Sequence, residues 1–169
     1  TPREGVDFFP LQVEYREKYY AAGRFPGGYF KREARPSERE ILIARVTDRP
    51  LRPFFPNGYR NDVQINSMLM TTDGENEADI LSINAASAAV MISEIPFFGP
   101  IGAVRIGRIG GNFVVNPTHP EIAASDLNLI YAGNREHPVM IEGYAQEASD
   151  ADLMAAMRLA HENVVLLVD

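Results

Sequence analysis

Between Gly27 and Arg35 the sequence runs Gly27-Gly28-Tyr29-Phe30-Lys31-Arg32-Glu33-Ala34-Arg35, two adjacent rings beside three cations on a segment that paired glycines leave free to bend. Aromatic faces stack on unpaired bases of any identity, while Lys and Arg neutralise the phosphate chain. Tyr29, Phe30, Lys31, Arg32 and Arg35 are therefore a candidate grip for single-stranded nucleic acid. The competing reading is a loop whose rings plug the core and whose cations are merely solvated, and composition does not choose between the two.

A second constellation is Arg45, Arg49 and Arg52. Arg45 and Arg49 are four apart and share one face of a helix, with Arg52 just past its end. Planar guanidinium groups grouped in this way suit phosphate, which they meet with forked hydrogen bonds. The alternative is that Arg45, Arg49 and Asp48 form ion pairs that hold the helix to its neighbours. The RNA-gripping reading requires the cations from Lys31 to Arg52 to meet on one opening rather than be neutralised one by one.

The remaining chemistry-bearing residues point to less. His119 and His137 lie in Pro-containing turns and His161 in the last helix, with no spacing of a metal motif, so no metal ligand is assigned. Asp73, Glu75, Glu77 and Asp79 sit at a turn and a helix start, where capping is their expected role. Gly107-Arg108-Ile109-Gly110-Gly111 matches no nucleotide-binding fingerprint and reads as a hairpin. A small-molecule enzyme would need paired acid and base groups in a concave site, and the sequence offers no such pair.

Several elements must position these residues. Leu11 to Arg16 alternates apolar and polar residues, the period of a strand with one buried face, and Val63 to Thr71 does the same. Ala21 to Gly28, with Pro26 and its glycines, predicts a loop. Ser37-Glu38-Arg39-Glu40 is a capping-box sequence that opens a helix from about Ser37 to Asp48, which Pro50 and Pro53 should end. The Ala-, Ile- and Ser-rich stretch from Glu77 to Ser93 predicts a buried helix. Gly110-Gly111 joins one hairpin (103–109 with 112–115), and Gly133 to Pro138 joins another (127–132 with 139–142). A last helix runs from Ser149 towards Leu167, with Ser149 and Asp152 as a second capping box. Strands with interspersed helices give an α+β chain with a mixed or antiparallel sheet.

The bulk numbers set the frame. A length of 169 residues at 46% hydrophobic content suits one domain with a sizeable core. The absence of cysteine excludes disulfides and thiolate metal sites and fits a reducing compartment, for which the cytoplasm is the default. No apolar run approaches the roughly 20 residues of a membrane helix. The net charge of −7 argues globally against a nucleic-acid binder, but the distribution does not. Nine Lys or Arg face four Asp or Glu between Arg24 and Arg60, an excess of five positive charges that leaves −12 for the rest of the chain. Such asymmetry marks a localised anion site on an otherwise acidic surface. Strand-like sequence begins almost at once after Asp7, so the chain reads as a fragment that begins downstream of its true start.

Taken together, Asp7-Phe8-Phe9-Pro10-Leu11, Tyr20-Ala21-Ala22-Gly23-Arg24, the block from Phe30 to Glu38, Ile43-Ala44-Arg45 and Asp48-Arg49-Pro50-Leu51-Arg52-Pro53 resemble the polynucleotide phosphorylase family in order and spacing. Ile95-Pro96-Phe97, Gly99-Pro100-Ile101-Gly102-Ala103 and Asn116-Pro117-Thr118 extend the match across nearly the whole chain. The resemblance implies a ribonuclease PH-like fold, a mixed β-sheet packed on helices, with residues 1–169 as a single, incomplete first core domain of two. It implies a 3′-to-5′ phosphorolytic exoribonuclease that converts RNA and inorganic phosphate to nucleoside diphosphates in mRNA degradation. Members form a ring-shaped homotrimer and associate with RNA-degradation machinery, and this domain would supply RNA grip and scaffold. The alternative is a non-catalytic RNA-binding or structural module.

The same resemblance assigns Tyr29, Phe30, Lys31, Arg32 and Arg35 to a channel loop that grips single-stranded RNA. Tyr29 and Lys31 stand where the family more often has Phe and Arg, so stacking survives while Lys31 loses the forked geometry. Arg45, Arg49 and Arg52 match a block that supports RNA or phosphate near the catalytic centre. No catalytic residue is expected here, because the family's phosphate-binding serines and magnesium-binding aspartates belong to the second core domain. Asp126 and Glu142 fall at the counterpart of that site, with Glu142 where an Asp is expected, and a surface pair on a hairpin is the reading preferred over metal binding. This piece alone is expected to be inactive.

Overall fold

The computed structural model describes residues 7–27 and 35–169. Strand β1 (Leu11–Glu17) is followed by a short 3-10 turn at Tyr19–Ala22 and then by helix α1 (Glu38–Leu51). Strand β2 (Val63–Leu69) returns beside β1 in parallel, Leu11 opposite Val63 and Glu17 opposite Leu69. Helix α2 (Asp79–Met91) leads into β3 (Gly102–Ile109), β4 (Asn112–Val115), the short α3 (His119–Ala124), β5 (Leu127–Gly133), β6 (Pro138–Ala145) and the long α4 (Asp150–Val168). The last four strands form an antiparallel sheet in the order β4-β3-β5-β6. The chain is thus α+β, with parallel and antiparallel pairing divided between two sheets.

The antiparallel sheet is buried on both faces at its centre. Along β5 alternate side chains go to opposite sides: Ile130 and Ala132 join Leu51, Ile83 and Val90 in one core, while Leu129 and Tyr131 join Ala156, Ala160 and Val164 of α4 in another. The small residues of α4 recur every four positions, which lets the helix axis sit close to the strands. Helix α2 buries Ile80, Ile83, Ala86 and Val90 but leaves Leu81 and Met91 exposed, so only one of its faces is in the core. Gly110 and Gly111 have φ of 55° and 81°, the left-handed pair that a two-residue hairpin turn needs.

Three expectations change in detail. Helix α1 does not stop at Asp48 but continues through Pro50 to Leu51. In the last turn a proline forfeits one backbone bond, and here its ring is fully buried beside Leu51, which offsets that loss. His119 opens α3 rather than lying in a turn. The Glu121 carboxylate accepts from both the N–H and the hydroxyl of Thr118, a start signal present in the sequence as Thr118-x-x-Glu121. At α4 the Ser149 hydroxyl accepts the Asp152 N–H and donates to the Asp152 carboxylate, so Asp152 reaches the Ser149 side chain in place of its backbone.

Candidate nucleic-acid interface

The cationic block is organised around Glu40. Ser37 caps α1, its hydroxyl accepting the Glu40 N–H, while the Glu40 carboxylate accepts the N–H of Ser37 at 2.6 Å and that of Glu17 at 2.8 Å. One buried side chain thus closes the helix start and ties it to the end of β1. Burial would raise the Glu40 carboxyl, but the donors from Ser37 and Glu17 outweigh it and hold the group below the ordinary carboxylate range.

A cleft opens on either side of this tie. One, of about 420 Å³, lies between the 3-10 turn and the start of α1 and is lined by Tyr19, Arg24, Arg35 and Glu40. The other, of about 390 Å³, runs between β1 and α1 and is lined by Arg16, Glu40, Arg45, Asp48 and Arg52. Glu40 is a wall of both.

The structure separates the three helix arginines, and among the described residues the cations from Arg35 to Arg52 do not all meet on one opening: Arg35 and Arg45 line different clefts, and Arg39, Arg49 and Arg52 are matched by acids. Arg45 is exposed in the second cleft and meets no carboxylate among the described residues. Arg49 reaches across to β6 and pairs with Glu142 at 3.2 Å, both side chains being about half exposed. Arg52 is a clamp: its Nε and Nη2 donate to Asp48, its Nη1 and Nη2 donate to the carbonyls of Phe9 and Leu11, and its guanidinium lies 5.8 Å from the centre of the Phe9 ring. Asp48 therefore pairs with Arg52 and not with Arg45 or Arg49. Arg39 is likewise matched, by Glu17 at 3.3 Å and Glu77 at 2.5 Å. Arg35 is exposed without a carboxylate partner among the described residues. Tyr29, Phe30, Lys31 and Arg32 lie outside the described residues.

Of the acids around the turn after β2, Asp73 and Glu77 are engaged by hydrogen bonds and ion pairs. Asp73 accepts the N–H groups of Asn76 and Glu75, which hold its carboxyl down to about 2. Glu77 does not cap α2, whose cap position is Ala78; it holds Arg39 and, at 3.1 Å, His119. Burial would raise the Glu77 carboxyl, and the bond to Arg39 overrides that and lowers it. Asp126 is forked onto Arg108, which also holds Asp152, and Glu142 is taken by Arg49. The Asp126 and Glu142 carboxylates are both already paired with guanidinium groups, on different parts of the sheet.

One constellation carries no local signal in the sequence. Arg105 on β3 is buried with its guanidinium bonded to Asp79 at the start of α2 and, at 2.6 Å, to the side-chain oxygen of Asn128 on β5, while its Nε–H has no partner among the described residues. Arg105 borders a cavity of about 660 Å³ with Asn76, Glu77, Asn84 and Asn116. The charges there are internally matched, Glu77 by Arg39 and His119 and Arg105 by Asp79, so the cavity has no preference for an anion.

Comparison with known proteins agrees with the fold and the motifs. The model of the 3′ exoribonuclease family, domain 1, matches residues 1–96, and that of the 3′ exoribonuclease family, domain 2, matches residues 99–163. A polyribonucleotide nucleotidyltransferase of Akkermansia muciniphila is 57% identical over 167 residues, covering 99% of this chain and 23% of that protein. Proteins of the same name from Methylacidiphilum infernorum and Leptospira biflexa are each 54% identical, covering 96% and 99% of this chain and 23% and 24% of their own lengths. The chain spans about a quarter of the length of these curated relatives. With a family model accounting for more than half of its residues and relatives matching it nearly end to end, the chain belongs to the 3′ exoribonuclease family.

Proposed function

We propose that the chain is part of the first of two ribonuclease PH-like core domains in a longer cytoplasmic polypeptide, a 3′-to-5′ phosphorolytic exoribonuclease acting as a homotrimer, and that it supplies single-stranded RNA grip and scaffold. The observation that carries the RNA role is the pair of clefts that meet at Glu40, one opening on Arg24 and Arg35 and the other on Arg45, with no carboxylate matching these three guanidinium groups among the described residues. Arg39 and Arg52 hold the frame and Arg49 is matched by Glu142, so the unmatched arginines present their donors without disturbing it. A strand entering these clefts would gain phosphate contacts along its backbone and no base-specific ones, the pattern of a sequence-tolerant grip. The reaction itself joins an oxygen of inorganic phosphate to the phosphorus of the terminal linkage; the 3′ oxygen of the preceding nucleotide leaves, takes up a proton, and a nucleoside diphosphate is released. In this reading magnesium belongs to the second core domain.

The test is to incubate the full-length polypeptide with single-stranded RNA, magnesium and either phosphate or none. Nucleoside diphosphates formed only with phosphate are expected; release of monophosphates, or no release, refutes the activity. For the domain, a variant with Lys31, Arg32 and Arg35 all changed to Gln should bind RNA more weakly and with a shallower salt dependence, and wild-type binding by that variant refutes the grip. A mass measurement showing a monomer refutes the trimer.

A further inference from the structure

The cleft between the 3-10 turn and α1 brings together Tyr19 and Arg24 from one segment and Arg35 from another. Gly23 ends the turn at φ 66°, and the Arg24 N–H donates to the Tyr19 carbonyl at 3.0 Å, so Tyr19 and Arg24 are fixed relative to one another although they sit in a connecting segment. The Tyr19 side chain is about half exposed. Arg24 is exposed, and neither it nor Arg35, across the same cleft, has a carboxylate partner among the described residues. The cleft's two acids are already engaged. Glu17 takes the Tyr15 hydroxyl and Arg39, and Glu40 takes the backbone of Ser37 and Glu17. What the cleft presents is a ring with two guanidinium groups around about 420 Å³, a space of the size of a single nucleotide.

We propose that this cleft is a nucleotide subsite for single-stranded RNA, in which Arg24 and Arg35 bind one backbone phosphate and Tyr19 offers its face to the adjoining base. The subsite rests on the RNA-gripping function proposed above, in which Arg24 and Arg35 already face this cleft, and adds to it Tyr19, outside the block from Tyr29 to Arg35. A phosphate between two arginines satisfies donors that meet no carboxylate among the described residues, and a base against Tyr19 covers part of a ring that is about half exposed. Because the contacts are to phosphate and to a ring face, the subsite accepts any base.

The experiment measures binding of a fluorescently labelled oligoadenylate to the full-length polypeptide by anisotropy, over a range of salt concentrations without inorganic phosphate. Arg24→Gln should lower affinity and reduce the slope of log affinity against log salt by about 0.7, the loss of one phosphate contact on a single strand. Arg24→Lys should keep the slope, since the charge is retained. Tyr19→Leu should weaken binding about fivefold with the slope unchanged, and Tyr19→Phe should restore it, because stacking needs the ring and not the hydroxyl. Circular dichroism and an unaltered melting temperature show that each variant is folded. Wild-type affinity and slope in Arg24→Gln and Tyr19→Leu, while the Lys31, Arg32 and Arg35 variant is weakened, overturns the subsite and leaves the grip standing. If that variant also binds like wild type, the grip itself falls.

Discussion

Replacing Asp79 by Asn removes the carboxylate from a guanidinium that has almost no access to water. Arg105 and Asp79 are each only 8% exposed. The Asp79 carboxylate does two things: one oxygen accepts the Ile80 N–H at 2.7 Å, and the other accepts Arg105. Asn at this position keeps an acceptor for Ile80 but leaves Arg105 with the neutral side-chain oxygen of Asn128 as its remaining partner. Breaking one side of a buried ion pair costs about 3–5 kcal/mol, a large part of the roughly 5–15 kcal/mol that holds a domain folded. The double variant Asp79→Asn with Arg105→Met behaves differently, because it removes the charge together with its partner. It also removes the Nε–H that has no acceptor among the described residues, whose burial costs about 1–3 kcal/mol, so the double variant should lie within about 2 kcal/mol of wild type. Urea unfolding of the four proteins gives the coupling energy, expected to be at least about 2 kcal/mol. A cost below about 1 kcal/mol for Asp79→Asn, or a double variant as unstable as the two single changes added together, would refute the claim that this pair anchors α2 to the sheet.

Three further outcomes follow from the geometry. Arg49→Gln breaks only an exposed pair with Glu142 and should change stability by less than about 1 kcal/mol in urea unfolding; a larger loss would mean the pair fastens α1 to β6. Gly111→Ala forces a side chain onto a φ of 81° and should destabilise by about 1–2 kcal/mol, visible as a lower urea midpoint, whereas Gly111→Asn should recover part of it. Glu40 has its carboxyl lowered in the folded chain, so its contribution is full above the unfolded carboxylate pKa and is lost as pH falls through the lower folded value. Wild type should therefore lose stability relative to Glu40→Gln on acidification, and a difference between the two that does not vary between neutral and acidic pH would contradict this.

Patterns repeating over a few residues are legible in the sequence, because backbone geometry imposes them locally. The alternation in Leu11 to Arg16 and from Val63 marks two strands, Ser37 with Glu40 marks the start of α1, and Gly110-Gly111 marks a hairpin turn. The end of α1 is not legible in the same way, because Pro50 acts locally as a breaker, whereas the burial of its ring is a tertiary fact. The start of α3 is written in Thr118 and Glu121 but obscured by Pro120, which is well tolerated in a first helical turn. The division of the strands between two sheets has no local signature, since it depends on which edges meet.

The candidate site shows the same limit in its charges. From spacing alone, Arg45 and Arg49 are equivalent neighbours on one helix face, yet the partner that distinguishes them, Glu142, lies 93 residues beyond Arg49. Arg52 resembles a phosphate ligand in sequence, but its donors close onto Asp48 and the carbonyls of Phe9 and Leu11, groups brought near only when β1 packs on α1. A guanidinium saturated by its own chain has few donors left for phosphate, while one facing water can bind phosphate without first losing protein bonds. Folding therefore sorts one arginine-rich block into clamps, Arg39 and Arg52, an exposed ion pair at Arg49, and open donors, Arg24, Arg35 and Arg45. Changes at the open donors should flatten the salt dependence of RNA binding with little effect on stability, and neutralising the buttressed clamp Arg52 should do the reverse.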